Sequence, residues 1–150
     1  MIAALLAAAT TLLPVVGKPG PVTIVDVFTV DCINCRDVVP ELRRLRRAYG
    51  PADLAIVGVH APETPAERNH AYALRGMRML GITWPVVWDD RFAIWDAYGV
   101  QAWPTQLVFD RAGRLRATIV GEGEDDRLAA TVRSLVGEQS AKPPSSVHRS

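Results

Sequence analysis

The chain has 150 residues, of which 49% are hydrophobic and 22% are charged, and its formal net charge is +1. This length supports one globular core rather than two, so we expect a single domain. A net charge so close to zero gives no reason to expect nucleic acid or a strongly acidic substrate as partner. The two cysteines and three scattered histidines are a thin supply for a structural zinc site, which needs four ligands.

Residues 1–16 are almost wholly apolar and rich in alanine and leucine. The run is shorter than the ~20 residues that a helix needs to cross a bilayer, which favours a signal peptide. No Lys or Arg precedes it, so a membrane-anchor remnant and a buried N-terminal helix are alternatives. We expect residues 1–16 to be a signal peptide or membrane-anchor remnant, followed by a linker at 17–21. The protein should then be periplasmic or extracytoplasmic, either secreted or membrane-anchored.

The rest of the chain alternates between strand and helix patterns. Residues 22–29 are β-branched and apolar apart from Asp26, which is typical of a strand buried on both faces. A helix should follow, because apolar residues recur at helical spacing from Val38 to Tyr49, and it should end at Gly50. Further strands are predicted at residues 54–59, 85–88, 105–110 and 115–120, and further helices at 66–80, 91–98 and 125–136.

This alternation implies parallel pairing among the first three strands. The last two strands flank a short turn at residues 110–114 and should form a hairpin. Residues 137–150 lack the apolar content to fold and are expected to be a disordered tail. The folded domain should therefore span residues 22–136.

Cys32 and Cys35 are separated by two residues and stand at the start of the first predicted helix. Two sulfurs at this spacing can close and reopen a small ring without unfolding the chain. The unpaired N–H groups of a first helical turn stabilise a thiolate there, so Cys32 should be the exposed nucleophile and Cys35 the buried resolving thiol. An inert structural disulfide is less favoured, because so short a loop restricts the unfolded chain little.

Several further positions accompany this dithiol. Asp26 lies six residues before Cys32, Pro40 lies inside the first helix, and Trp103 and Pro104 precede a strand. With this order of elements the chain resembles the thioredoxin-like thiol-disulfide oxidoreductases over residues 22–136. Within that family it is similar to the exported TlpA-like branch, most of all to the thioredoxin-like domain of DipZ-type membrane proteins. The similar runs are residues 32–35, 58–63, 81–86, 93–98, 103–104 and 121–123.

The resemblance implies an α/β thioredoxin-like fold, in which a central mixed β-sheet is flanked by α-helices on both faces. It also implies that Asp26 is a buried acid with a raised pKa that passes a proton to or from Cys35. The alternative is an Asp side chain that reaches water or caps a backbone group. Pro104 should follow a cis peptide bond, so that a partner chain pairs beside Cys32 and Trp103 forms active-site surface. An ordinary trans proline is the alternative there.

Partner contacts are expected from residues around the dithiol. Ile33 and Asn34 lie between the cysteines, and Asp31 precedes them where many thioredoxin-like proteins have Trp. A carboxylate beside Cys32 disfavours the thiolate and removes an aromatic contact surface. His60 and Glu63 follow the second strand, where connecting loops approach the catalytic face, so they are candidates to tune Cys32 or contact a partner. A solvated polar loop is the equal alternative for both.

The resemblance implies a protein that exchanges electrons with extracytoplasmic protein thiols and disulfides. We expect a reductase in thiol homeostasis or cytochrome c maturation, with a membrane thiol carrier as electron donor. It should be monomeric and should need no cofactor and no metal. The direction of electron flow is not fixed by Ile33 and Asn34. The arginines at residues 43–47 form a basic helix face that either steers an acidic partner or is simply solvated.

Two other function classes stay open. A thiol peroxidase is compatible with Thr29, three residues before Cys32 as in peroxiredoxin-like proteins, although Val25 stands where their pattern has proline. A copper-binding module is compatible with Cys32, Cys35 and His60, because soft sulfur ligands favour Cu(I). Related copper chaperones more usually have three residues between the thiolates.

Overall fold

The structure is a computed structural model that describes residues 17–138. The predicted signal or anchor segment at 1–16 lies outside the described residues, as does the predicted tail from residue 139 onward. Gly137, which was assigned to that tail, instead ends the last helix. Within the described part of the chain, no helix is both long and apolar enough to span a membrane.

Residues 17–138 form five strands and four α-helices in the predicted order. The strands are β1 (Val22–Phe28), β2 (Leu54–His60), β3 (Val86–Trp88), β4 (Thr105–Phe109) and β5 (Leu115–Val120). The helices are α1 (Ile33–Ala48), α2 (His70–Leu80), α3 (Ala93–Ala97) and α4 (Asp125–Gly137), with a short 3-10 helix at Ala66–Arg68.

The strands form one mixed sheet in the order β3-β2-β1-β4-β5. β1, β2 and β3 run parallel, β4 runs antiparallel to β1, and β5 runs antiparallel to β4. The parallel pairing and the hairpin predicted from the sequence are both confirmed. β1 lies at the centre, hydrogen-bonded along both edges, and every one of its residues is buried.

The two faces of β1 pack against different helices. Val22 and Ile24 join the core formed with α1 and α4. Phe28, on the same face, packs with residues of α2. On the opposite face, Val25 and Val27 pack with Ile94 of α3. Helices therefore flank the sheet on both sides, as expected, and Asp26 points to the same face as Ile24, beneath α1.

The helix predicted at 66–80 is interrupted. After the 3-10 helix, Asn69 adopts an extended conformation with φ −79° and ψ 108°, and α2 begins at His70. The Asn69 side chain accepts the Tyr72 N–H at 3.1 Å and so caps α2. The break directs the residues of the 3-10 helix toward the carboxyl ends of β1 and β2.

Close contact between α2 and the segment after β1 depends on Gly76. A Cβ atom at this position would lie 2.8 Å from Cβ of Val30, closer than real side chains approach. The side chain of Val30 is buried and branched, so it has little freedom to move aside. Gly76 therefore sets how near α2 lies to the chain that leads into the dithiol.

We expect Gly76→Ala to lower the free energy of unfolding by about 1–3 kcal/mol, as overpacking does, despite the better helix propensity of alanine. Gly137→Ala is the matched control, since it also lies in a helix and has nothing within 4 Å of its would-be Cβ. That variant should be neutral or stabilising by up to about 1 kcal/mol. Denaturant titration measures both, and equal values for the two variants would contradict the packing argument.

Candidate active site

The dithiol lies where β1 ends and α1 begins. Cys32 is the N-cap of α1, with φ −82° and ψ 117°, and its Sγ accepts the backbone N–H of Cys35 at 3.2 Å. Both cysteines are free thiols. Cys32 is partly exposed, whereas the Cys35 residue is only 2% exposed. The two sulfurs therefore differ in accessibility as the sequence predicted.

Burial raises the pKa of the Cys35 thiol well above its ordinary range, and the adjacent Cys32 side chain raises it further. A hydrogen bond from the backbone N–H of Thr29 opposes these effects without cancelling them. Cys35 therefore stays protonated until a base removes its proton.

Asp26 lies beneath α1 and is 1% exposed. Burial raises its pKa from 3.8 to about 6, even though a hydrogen bond with Gln106 acts in the opposite direction. The Gln106 amide donates to the Asp26 carboxyl at 2.8 Å. The Asp26 charge is one of the causes that raise the pKa of Cys35, after burial and the adjacent Cys32. The carboxyl is thus buried and tuned to exchange a proton near neutral pH.

The peptide bond between Trp103 and Pro104 is cis. It precedes β4, whose first residue, Thr105, is the register partner of Val27 in β1. The Trp103 indole N–H donates to the carbonyl of Ala61 at 2.9 Å. These contacts place the cis bond at the same edge of the sheet as the dithiol.

The residues around Cys32 reach the surface. Ile33 is 70% exposed, and Asn34 and Asp31 are also exposed. The Tyr72 hydroxyl donates to both oxygens of the Asp31 carboxyl, at 3.0 Å each. This hydrogen bond raises the pKa of Tyr72. The carboxylate that precedes Cys32 is therefore tied to α2 rather than left free beside the sulfur.

Glu67, in the 3-10 helix, is fully buried and was not among the predicted site residues. One carboxyl oxygen accepts the Thr29 hydroxyl and the Asp31 N–H, the latter at 2.9 Å. The other accepts the N–H groups of Glu63 and Thr64 at 2.8 Å each. Burial acts to raise the pKa of Glu67, but these hydrogen bonds outweigh it and hold the pKa below its ordinary value. The carboxylate therefore binds the segment before Cys32 to the loop after β2.

The Glu67 contacts also decide the role of Thr29. Its hydroxyl donates to Glu67, and its oxygen lies 3.4 Å from Nε2 of His60. Among residues 17–138 no hydrogen bond joins this hydroxyl to Cys32. Thr29 is thus part of the support beneath the dithiol, which gives the thiol peroxidase interpretation no structural backing.

The alternative that His60 lies in a solvated loop is wrong, and its burial leaves no surface for a partner to contact. A role for His60 in tuning Cys32 stays a prediction. β2 extends to His60, which is fully buried, with edge-to-face contacts to Phe28 and Trp88. Burial lowers the pKa of this imidazole, so it is neutral at pH 7. Within residues 17–138 no three His, Cys, Asp or Glu side chains form a group that could hold a metal. The copper interpretation, which required His60 beside the cysteines, is therefore not supported.

Glu63 does lie in a loop and is exposed, as predicted. Its backbone N–H is fixed by Glu67 at 2.8 Å. Its side chain makes no hydrogen bond or ion pair within the described part of the chain. A contact between this side chain and a partner stays a prediction.

A family model described as thioredoxin-like matches residues 20–115, more than half of the chain. The chain belongs to the thioredoxin-like family. It is 33% identical to protein DipZ of Mycobacterium tuberculosis over 124 residues, which cover 83% of this chain but only 18% of DipZ. It is 25% identical to the thiol-disulfide oxidoreductase YkuV of Bacillus subtilis over 116 residues, covering 77% of this chain and 78% of YkuV.

A solved structure has the same fold as this chain. The crystal structure of a thiol-disulfide isomerase from Corynebacterium glutamicum superposes with a TM-score of 0.72 at 23% identity, covering 82% of this chain and 85% of that one. Thiol-disulfide oxidoreductases are thus among both the relatives and the structural neighbours of this thioredoxin-like protein. The chain spans less than a fifth of the DipZ relative that it matches.

We expect Glu67→Gln to lower the free energy of unfolding by at least about 2 kcal/mol. An amide presents an NH2 group to one of the two pairs of donors, and each unsatisfied buried donor costs about 1–3 kcal/mol. The contribution of a carboxyl with a depressed pKa is present above its unfolded value of 4.5 and is lost as pH falls. The difference from the native protein should therefore shrink below about pH 4.5, and denaturant titrations across pH measure it.

Asp126→Asn is the matched control for Glu67→Gln, because Asp126 is an exposed carboxyl on α4. Its free energy of unfolding should stay within about 0.5 kcal/mol of the native value, as is usual for surface substitutions. A Glu67→Gln variant as stable as this control would show that the four hydrogen bonds do not support the fold.

Asp26→Asn should raise the free energy of unfolding, whereas Glu67→Gln lowers it. Because the folded-state pKa is raised from 3.8 to about 6, the ionised carboxyl destabilises the folded protein above pH 6 and not below pH 3.8. A tenfold change in proton affinity is about 1.4 kcal/mol, so the gain in the free energy of unfolding should reach about 3 kcal/mol at pH 8. It should vanish near pH 3.5. Denaturation of the reduced protein across pH tests this, and a gain that does not change with pH would contradict it.

Proposed function

We propose that this thioredoxin-like protein is a thiol-disulfide oxidoreductase that acts on extracytoplasmic protein thiols and disulfides through Cys32 and Cys35. The observation that carries the proposal is the asymmetry of the two sulfurs. Cys32 is partly exposed at the helix N-cap, while Cys35 is buried with its pKa raised. Only one sulfur can meet a partner, and the other is placed to resolve the bond that forms.

In the reducing direction, the Cys32 thiolate attacks one sulfur of a partner disulfide. A mixed disulfide forms and the partner's other sulfur leaves as a thiolate. Cys35 then loses its proton and attacks Sγ of Cys32, which releases the second partner thiolate. The partner gains two electrons and the Cys32-Cys35 pair becomes a disulfide. A thiol donor must then reduce that pair before the next cycle.

Asp26 is the group suited to take the proton from Cys35. With a pKa of about 6 it is mostly ionised at neutral pH, yet it is basic enough to accept a proton. We assign it the role of general base in resolution and of general acid in the reverse reaction.

The Trp103 segment is suited to hold the partner's backbone. The Pro104 carbonyl already accepts the Gly121 N–H at 2.9 Å. Among residues 17–138, no hydrogen bond engages the backbone N–H or carbonyl of Trp103. An extended partner chain can therefore pair with Trp103 while its disulfide lies at Cys32, as in strand addition.

We further propose an extracytoplasmic location and a reductase role, in thiol homeostasis or cytochrome c maturation, with a membrane thiol carrier as donor. The support for the location is the apolar run at residues 1–16. The support for a reductase is the buried Cys35 thiol, which can resolve a mixed disulfide once Asp26 takes its proton. The protein should act as a monomer.

Equilibration in a series of glutathione redox buffers, with thiols trapped by a mass tag, measures the reduction potential of the Cys32-Cys35 couple. We expect a reducing value close to that of thioredoxin, near −270 mV. A value near −120 mV would make the protein a disulfide donor instead. If the two cysteines do not interconvert at all, the proposed activity is wrong.

The two single-cysteine variants separate the roles of the sulfurs. Cys35→Ser should accumulate a mixed disulfide with a cystine-containing peptide, because the resolving thiol is gone. Cys32→Ser should accumulate none, because its remaining thiol is buried. Mass spectrometry under non-reducing conditions measures both. Trapping by Cys32→Ser but not by Cys35→Ser would reverse the assignment.

A further inference from the structure

Two adjoining hollows lie between α1 and α2, beside the dithiol. Their volumes are about 350 and 360 Å³, and they share Arg36, Met79 and Leu80. The first also borders Asp31, immediately before Cys32. Through these shared residues they join into one groove, which begins at Asp31, the residue before Cys32, and runs along both helices. This side of Cys32 is distinct from the side that carries Trp103, which contacts neither hollow.

The groove is lined by four arginines from the two helices: Arg36, Arg43 and Arg47 of α1, and Arg75 of α2. We call it the basic groove. Residues 36, 43 and 47 are spaced seven and four apart, which brings them to one face of a helix. None of the four guanidinium groups makes an ion pair with a residue in the range 17–138. The described residues therefore form no direct ion pair with the arginines of the groove.

Within the part of the chain that the structure describes, Asp31 is the one acidic residue that borders the groove. Both of its carboxyl oxygens accept the Tyr72 hydroxyl at 3.0 Å. It thus marks the end of the groove nearest Cys32 and offsets one of the four positive charges. The formal charge of the lining is positive, although the chain as a whole carries only +1.

The groove also has apolar surface. Met79 is 89% exposed, and Leu80 and the buried Val39 complete the wall between the helices. A methionine exposed to this extent offers a flexible, polarisable surface to a partner. Charge at the rim with apolar surface between is the usual arrangement of a site for a protein segment.

We propose that the basic groove binds an acidic segment of the redox partner, flanking the cystine that Cys32 attacks. This rests on the proposed function and names the class of its substrate: protein disulfides with Asp or Glu residues close to one cysteine. Such a segment supplies the carboxylates that the four arginines lack, in bidentate pairs. Charged groups at a rim act mainly on the rate of encounter and on the choice of partner. A flat anionic membrane would not enter a groove between two helices.

The test compares three synthetic peptides that share one intramolecular cystine and differ only in flanking residues: acidic, neutral or basic. Their rates of reduction by the reduced protein are measured by stopped flow at low and high ionic strength. We expect the acidic peptide to react about tenfold faster than the basic one at low salt, a ratio typical of electrostatic steering. High salt should reduce this ratio toward one.

The double variant Arg47→Glu/Arg75→Glu should abolish or reverse the preference, measured as the ratio of the rate with the acidic peptide to the rate with the basic one. It changes one arginine on each helix and spares Arg36, which adjoins Cys35. The matched control is Arg127→Glu/Arg133→Glu, two exposed arginines of α4 outside the groove. That variant has the same net charge and should keep the native preference. Circular dichroism verifies that both variants are folded.

A second readout separates failure of this proposal from failure of the proposed function. The acidic peptide with serines in place of its cysteines cannot react, so NMR shifts of the α1 and α2 amides report binding alone. Shifts along the basic groove support the proposal even if no peptide is reduced. Equal rates for the three peptides, or a preference that survives in Arg47→Glu/Arg75→Glu, would overturn it. Binding to phosphatidylglycerol vesicles is measured as well. If Arg47→Glu/Arg75→Glu loses that binding and the native protein shows no preference among the peptides, the proposal is overturned and the groove is part of a membrane surface instead.

Discussion

The burial of β1 on both faces and along both edges is the constraint on which the site depends. Every residue from Val22 to Phe28 is buried, so the strand can carry a polar side chain only in a neutral or hydrogen-bonded form. Asp26 meets that condition through its raised pKa and its bond with Gln106. The strand must then leave the sheet at its carboxyl end, where α1 begins. One buried strand thus places both the Asp26 carboxyl and the dithiol.

Two buried carboxyl groups flank the dithiol, and their pKa values shift in opposite directions. Asp26 receives one hydrogen bond from a neutral amide, and burial raises its pKa to about 6. Glu67 receives four hydrogen bonds, three of them from backbone N–H groups, and they hold its pKa below the ordinary value. The number of donors decides which effect is larger. Asp26 can therefore exchange a proton near neutral pH, whereas Glu67 is a fixed anion that supports the backbone.

The order of strands and helices and the dithiol were predictable because each follows from a local pattern or a short motif, whereas the cis bond at Pro104 was predictable only from the family resemblance. Glu67 was not predictable, because within residues 66–80 its position is compatible with the polar side of a continuous helix. The interruption at Asn69 turns it inward instead. His60 was misplaced because β2 was ended one residue early. Extending the alternation of Leu54, Ile56 and Gly58 by one step puts His60 on the same buried face.

The net charge predicted the partners poorly, because it sums the charges of all surfaces, including surfaces that contact different molecules. A chain of charge +1 can still hold four arginines in one groove, without an ion pair to any residue in the range 17–138, if helical spacing and the approach of two helices collect them there. The approach in turn depends on Gly76, which lets α2 lie against Val30. Because Gly76 has no side chain, α2 can lie close to Val30, and this position of α2 brings Arg75 toward the arginines of α1. The spacing of the charged residues along the helices, rather than the net charge, is therefore the feature from which the proposed partner of the basic groove is inferred.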